Sequence, residues 1–187
     1  MDDGAVKQEN NRFLSPRHII EQSGIGAGMQ VADFGCGQGD FSLAAAKLVG
    51  PEGKVYAIDI QDSALSSVRS KARIEGELNI DLVKGNVEVP GASGRADASC
   101  DAVILTNLLF QTEKRAEILR EASRVLKPGG IAVFVDWKKE APLGPMRTLR
   151  MEKEAAEQLI AHEGFAFERG IEAGAFHFGM IFIKRES

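Results

Sequence analysis

The chain has 187 residues, 44% hydrophobic and 27% charged, a balance that fits one soluble globular domain and excludes wholesale disorder. Its 27 acidic residues outnumber 23 basic ones, for a formal net charge of -4, which counts against non-specific nucleic-acid binding. Two cysteines, Cys36 and Cys100, with no CxxC pair remove zinc-finger and disulfide-scaffold readings, and no metal site is expected.

The whole chain reads as one domain, with residues 1–12 polar and loose. No apolar run reaches the length of a membrane-spanning helix. The start Met1-Asp2-Asp3-Gly4 is unlike a secretory signal, so a cytoplasmic protein is expected. Ser15-Pro16 marks a helix start that runs to Gly24. Val31 to Phe34 is a first strand, Asp40 to Val49 a helix ended by Gly50-Pro51, and Lys54 to Ile60 a second strand. Asp62 is read as the cap of a helix carrying Leu65, Val68 and Ala72, followed by a third strand, Ile80 to Lys84. Gly85 to Ser99 is a loop with room for one helical turn. Asp101 to Thr106 is a fourth strand, Thr112 is read as the next helix cap, and Pro128-Gly129-Gly130 as its stop. Ile131 to Trp137 is a fifth strand and Glu152 to His162 a helix. Phe165 to Ile171 and Phe176 to Lys184 are joined by a link too short for a crossover, hence an antiparallel hairpin. The fold class is α/β: a Rossmann-like, doubly wound, seven-stranded and mainly parallel sheet with an antiparallel C-terminal hairpin strand.

The most informative stretch is Asp33-Phe34-Gly35-Cys36-Gly37-Gln38-Gly39-Asp40, between the first strand and the helix after it. Alternate glycines let the backbone turn tightly and approach a ligand beyond the carboxyl ends of the strands. A nicotinamide dinucleotide fingerprint would need glycine at position 40, where Asp40 stands. Carboxylates at Asp33 and Asp40 would repel a pyrophosphate at the helix start. They favour a phosphate-free nucleoside carrying an amine and another positive centre, a description that S-adenosylmethionine meets. Asp59, about 20 residues beyond the loop, stands where an acidic group would accept from ribose hydroxyls, and Ile60 follows it as a surface for adenine.

These residues resemble the class I S-adenosylmethionine-dependent methyltransferases over most of the chain, from about Ile25 to Lys184. The glycine loop is similar to that family's first motif. Arg124-Val125-Leu126-Lys127-Pro128-Gly129-Gly130 is similar to the family's turn before its fifth strand, and the terminal hairpin to its one reversed strand. The likeness is closest to the small-molecule branch, which includes quinone-biosynthesis and arsenite methyltransferases. It implies S-adenosylmethionine as cofactor, held by Asp33, Phe34, Gly35, Cys36, Gly37, Gly39, Asp59 and Ile60. Asn86 and Val87 would lie at the adenine, and Asn107 beside the reacting methyl group. Asn86 departs from the acidic residue many relatives carry there; its amide oxygen can still accept from the adenine amine.

Thr106-Asn107-Leu108-Leu109 has none of the prolines of nucleic-acid amino-methyltransferases, and two distant cysteines do not make an arsenite site. The partner expected is therefore a small-molecule acceptor, methylated by in-line displacement, with no nucleic acid expected and the oligomeric state left open. Such displacement demands alignment and water exclusion more than any covalent partner. No catalytic residue is nominated; Asp136 and His177 are the two candidate bases. Residues 138–153 are read as a solvated connection, with a cationic lid over the acceptor as the sharper alternative. Phe13, Leu14 and the first helix would form the opposite wall. Two rival functions remain at this level: a methyltransferase-like domain that binds without turnover, and a nicotinamide-dependent oxidoreductase.

Overall fold

The computed structural model describes residues 13–186; the loose segment expected over residues 1–12 lies outside them. In chain order the elements are α1 (Pro16–Ser23), β1 (Gln30–Phe34), α2 (Asp40–Val49), β2 (Lys54–Asp59), α3 (Asp62–Glu75), β3 (Ile80–Lys84), β4 (Cys100–Thr106), α4 (Arg115–Val125), β5 (Leu126–Trp137), α5 (Lys153–His162), β6 (Phe165–Ile171) and β7 (His177–Lys184). Short 3-10 turns cover Leu109–Gln111 and Arg147–Leu149. The seven strands form one sheet in the order β3-β2-β1-β4-β5-β7-β6. β7 runs antiparallel to both β5 and β6, and the pairs among β1 to β5 are parallel. The order reverses between β1 and β4, which opens a crevice at their carboxyl ends.

Alternation along each strand divides the core in two. Ala32, Phe34, Val103, Leu105, Ala132 and Phe134 pack with Ile118 and Leu119 of α4 and Ile160 of α5. Val31, Ala102, Ile104, Val133 and Val135 pack on the other side with Ile19 and Ile20 of α1 and Ala45, Ala46 and Val49 of α2. Cys36, Ala57, Leu65 and Val68 seal α3 against the sheet.

Local signals hold at the first helix and at the Gly50 end of α2, and slip at three other places. Ser15 caps α1 by accepting from the His18 amide, and Gly24 ends it in the left-handed region at φ 90°. Asp62 is not a cap. Gln61 takes that position without a side-chain bond, and Asp62 pairs with Lys84. Lys114 precedes α4, while Thr112 Oγ1 accepts the Lys114 amide one turn earlier. Pro128-Gly129-Gly130 does not stop α4 either. The helix ends at Val125, and Leu126 already pairs with Cys100 as the start of β5, ahead of a bulge between Cys100 and Ala102. The segment from Gly85 to Ser99 holds turns and no helix.

Candidate functional site

Residues 35–39 link β1 to α2 at the reversal point. Gly35, Gly37 and Gly39 take φ values of 68°, 51° and 84°, in the region that penalises any side chain. Their surroundings differ. A Cβ on Gly35 would lie 2.8 Å from Leu108, and one on Gly39 2.6 Å from Val68, whereas one on Gly37 would meet nothing within 4 Å. Gly35 and Gly39 are glycines because protein crowds them; Gly37 faces open space. The Gly35 and Cys36 amides both donate to the Ile58 carbonyl of β2 at 2.9 and 3.0 Å. Asp59 Oδ2 accepts the Gly37 amide at 3.0 Å, and Oδ1 accepts the Gln61 amide at 2.9 Å.

A cavity of about 890 Å³ opens above this loop. Asp33, Gly35, Cys36, Gly37, Gly39 and Asn107 line it, together with Thr106 at the end of β4 and Gln111 beyond it. The opposite wall is Leu14, Pro16, Arg17 and Ile20 of the α1 region. Thr106 Oγ1 and Asn107 Oδ1 are buried without a hydrogen-bond partner. Asn107 holds a positive φ of 52°. That turn is fixed by its amide donating to the Val135 carbonyl at 2.8 Å and by Gln111 Nε2 donating to its carbonyl at 2.6 Å.

The electrostatics are milder than the count of carboxylates implies. Asp33 is fully buried, and burial raises its pKa to about 7 against the Ser42 hydroxyl it accepts at 2.5 Å, with Asp59 adding repulsion. Near neutral pH it is therefore only partly charged. Asp40 forms an ion pair with Lys71 of α3. The repulsion of a pyrophosphate expected from Asp33 and Asp40 together is thus partly cancelled inside the protein. Burial, reinforced by Asp33 and Asp59, pushes the Cys36 thiol well above its ordinary range, so Cys36 is a small inert lining residue and not a nucleophile.

The structure does not bring every expected residue to the cavity. Asp59 acts on it through the Gly37 amide. Ile60 stands exposed at the end of β2. Phe34 and Val87 are buried in the core beside α4, because alternation turns Phe34 away from the side that Asp33 faces. Asn86 Oδ1, the expected adenine acceptor, closes a local turn by accepting the Glu88 amide at 2.9 Å. Thr106 and Gln111 were not singled out from sequence. Their signal was a polar residue at each end of Thr106-Asn107-Leu108-Leu109-Phe110-Gln111. Leu14 and α1 form the opposite wall as expected, but Phe13 is exposed and packs edge-on against Phe176.

Residues 138–150 do not line the cavity. Arg150, nearly buried, donates to the carbonyls of Lys138, Lys139, Ala141, Leu143 and Pro145, winding the segment around its guanidinium. Gly144 is pressed so close to Trp137 that a Cβ would lie 2.5 Å from the indole. Trp137 is a packed residue and not an acceptor platform.

The geometry fits S-adenosylmethionine at three points. An open glycine lets a ligand reach the backbone, Thr106 and Asn107 offer unsatisfied oxygens to an ammonium group, and Asp59 braces the loop through the Gly37 amide. Comparison with known proteins agrees. The Pasteurella multocida ubiquinone/menaquinone biosynthesis C-methyltransferase UbiE is 37% identical over 124 residues, 66% of this chain and 45% of that protein. The demethylmenaquinone methyltransferase of Geobacillus stearothermophilus is 31% identical over 129 residues, 68% of this chain and 53% of its own. The chain thus spans about half the length of these curated relatives. A solved SAM-dependent methyltransferase from Aquifex aeolicus superposes with a TM-score of 0.83 at 25% identity, covering 98% of this chain and 100% of that one. The [4+2]-cyclase SpnF shares the fold at a TM-score of 0.77 and 16% identity, over 92% of this chain and 80% of its own. The family model described as a methyltransferase domain matches residues 25–171; the chain belongs to the class I S-adenosylmethionine-dependent methyltransferases.

Proposed function

We propose that this domain transfers a methyl group from S-adenosylmethionine to a small-molecule acceptor, and that the acceptor is a quinone-type ring like those for which its relatives are named. The observation that carries the reading is the glycine loop. Of its three glycines, the one left open, Gly37, is the one Asp59 fastens by its amide. S-adenosylmethionine, when bound, supplies a methyl group on a cationic sulfur. The chain's own residues do the rest. Gly35 to Gly39 set the backbone that receives the ligand, Asp59 holds that backbone, and Thr106 and Asn107 present oxygens to its cationic end. Leu14 and Ile20 exclude water from one side.

A nicotinamide cofactor is the weaker reading. Lys71 lessens the like-charge objection at Asp40, but the loop still lacks the third glycine of that fingerprint at position 40. Titration calorimetry with S-adenosylhomocysteine and with NADH separates the two. Binding of the first and not the second is expected; the reverse would sink the assignment. Asp59→Ala should weaken binding of S-adenosylhomocysteine by about 1.5–3 kcal/mol, the cost of losing charged hydrogen bonds. Binding with no transfer to any acceptor would favour the non-catalytic reading.

A further inference from the structure

The unpartnered buried atoms at the carboxyl edge are Thr106 Oγ1, Asn107 Oδ1, Asp136 Oδ2 and both ring nitrogens of His177. They form no second site. Thr106 and Asn107 belong to the cavity already described, and strand alternation turns Asp136 and His177 to opposite faces of the sheet. The more informative part of this edge is the segment that leaves β5.

An ordinary surface loop gives its backbone polar groups to water and turns its apolar side chains inward. Residues 138–150 do the reverse. The nearly buried Arg150 guanidinium collects the carbonyls of Lys138, Lys139, Ala141, Leu143 and Pro145 at 2.5–3.3 Å. Lys138 Nζ donates to the Gly174 and Ala175 carbonyls, and Gly144 lies against the Trp137 indole. With the carbonyls inside, the side chains between them face out. Met146 is 70% exposed, Leu143 54% and Leu149 41%. Met146 and Leu149 stand three residues apart across the 3-10 turn Arg147–Leu149, a spacing that brings side chains to one side. Phe13, also exposed, packs on Phe176, whose carbonyl accepts the Lys138 amide at 2.8 Å. The loop is thus wound so that its apolar side chains stand in water, and among the described residues no core receives them.

Charge follows the same pattern. Residues 138–154 carry five cations against three carboxylates, in a chain whose net charge is -4. Lys139 pairs with Glu152. Arg147, between Met146 and Leu149 in the chain, and Lys153, at the start of α5, are both exposed. A protein partner needs a closed, shape-matched patch of about 800 Å² a side, with Trp and Tyr as its usual anchors. Here single side chains project from a wound loop, and neither Trp nor Tyr is among the exposed apolar residues. A fluid lipid surface needs no matching shape. It takes apolar side chains below its headgroups and holds Lys and Arg at its phosphates.

We propose that residues 138–150, together with Phe13 and Lys153, form a docking surface for an anionic lipid bilayer. Leu143, Met146 and Leu149 enter the boundary between headgroups and acyl chains, and Arg147 and Lys153 meet lipid phosphates. The segment leaves β5 at its carboxyl end, so the docked face is the edge at which the cavity opens. The docking stands apart from the methyltransferase reading, but its use rests on it: an apolar ring dissolved in lipid then reaches the domain without crossing bulk water.

The test is flotation of the full chain with vesicles of phosphatidylcholine and phosphatidylglycerol in equal parts, set against vesicles of phosphatidylcholine alone. The wild type should bind the anionic vesicles about tenfold more tightly than the neutral ones, and the difference should shrink as salt is raised. Leu143→Ser with Met146→Ser should weaken binding about tenfold or more. Arg147→Gln with Lys153→Gln should do likewise, each cation near such a surface being worth about fivefold. Both double variants should keep the wild-type melting temperature and affinity for S-adenosylhomocysteine, since these side chains lie outside core and cavity. Ile74→Ser with Leu78→Ser removes two still more exposed apolar side chains, at the amino edge where α3 leads into β3, and should bind as wild type does. A wild type that floats with neither vesicle, or loop variants that float as well as wild type, overturn the proposal. Equal loss in the amino-edge variant shows general adhesion and overturns it too. Equal flotation with both vesicles overturns the part given to Arg147 and Lys153. A wild type that ignores vesicles but forms a dimer by light scattering, lost in Leu143→Ser with Met146→Ser, overturns lipid as the occupant. Calorimetry with S-adenosylhomocysteine is read separately. Cofactor binding without flotation overturns the docking alone, and flotation without cofactor binding supports the docking and overturns the methyltransferase reading.

Discussion

The two edges of the sheet are built on opposite plans. At the amino edge polar groups are stitched to one another. Asp101 accepts from the Gln30 amide and from Lys127, and Tyr56 donates to Gln30. Glu121 accepts from Arg124 and from the Gly91 and Ser93 amides. The two orphans there belong to side chains otherwise engaged: Asn79 donates twice through its amide nitrogen, and Arg95 lies 3.5 Å over the Tyr56 ring. At the carboxyl edge five atoms are left without partners. One edge largely satisfies its polar groups within the protein, and the other, among the described residues, leaves more of them unpaired. Each carries carboxylates, so composition alone does not tell them apart; what differs is whether a partner sits opposite.

The comparison can be broken first at the amino edge. Glu121→Ala leaves Arg124 and two backbone amides short of an acceptor and should cost about 3 kcal/mol in chemical denaturation, Arg124 retaining Asp97. Burial works against the Glu121 carboxylate, but the bonds from Arg124, the Gly91 amide and Ser93 outweigh it and lower its pKa to about 2 from an ordinary 4.5. The folded state thus binds this proton more weakly than the unfolded one. The stabilisation is present above about pH 4.5 and is lost as pH falls towards about 2. Wild type should lose stability over that window and the variant should lose less. Affinity for S-adenosylhomocysteine, measured well below the melting point, should be unchanged. A variant as stable as wild type would show the stitching to be ornamental.

A finer contrast lies within the glycine loop. Ala at either Gly37 or Gly39 incurs about 1–2 kcal/mol for the left-handed backbone. At Gly39 the new methyl also strikes Val68, adding about 1–3 kcal/mol of overpacking. Gly39→Ala should therefore lower stability more than Gly37→Ala in matched melts, and adding Val68→Ala should recover part of the loss. Gly37→Ala should instead lower affinity for S-adenosylhomocysteine by calorimetry. Equal stability losses for the two single variants would contradict the difference in their surroundings.

This contrast also marks where sequence reading stops. The alternate glycines, the reach to Asp59 and the reversed last strand were legible because each is a local pattern with one geometric solution. Which glycine is open was not, since Leu108 and Val68 arrive from distant parts of the chain. Asp62 and Thr112 have the chemistry of caps, but Lys84 and the Lys114 amide claim them. Arg150 has the composition of a solvated linker and is nearly buried, because the carbonyls of the loop it closes converge on it. The orphans at Asp136 and His177 depend on what three strands fail to place beside them, and no single segment records that.

The smallest effect concerns the charge that first argued against a pyrophosphate. Asp40 is well exposed, and its ion pair with Lys71 joins the start of α2 to α3 across the surface. Such a pair contributes about 0.2–1 kcal/mol, and the carboxylate adds about 0.3–1 kcal/mol through the helix dipole. Asp40→Asn should therefore lower stability by about 0.5–2 kcal/mol, with the loss shrinking in high salt. If the backbone and the missing glycine exclude NADH, the variant will still not bind it, because Asn leaves the loop's shape intact. If the carboxylate alone excludes it, NADH binding will emerge in the variant and weaken with salt. The neutralisation by Lys71 and the partial protonation of Asp33 near pH 7 favour the first outcome: the loop selects its ligand by shape more than by charge.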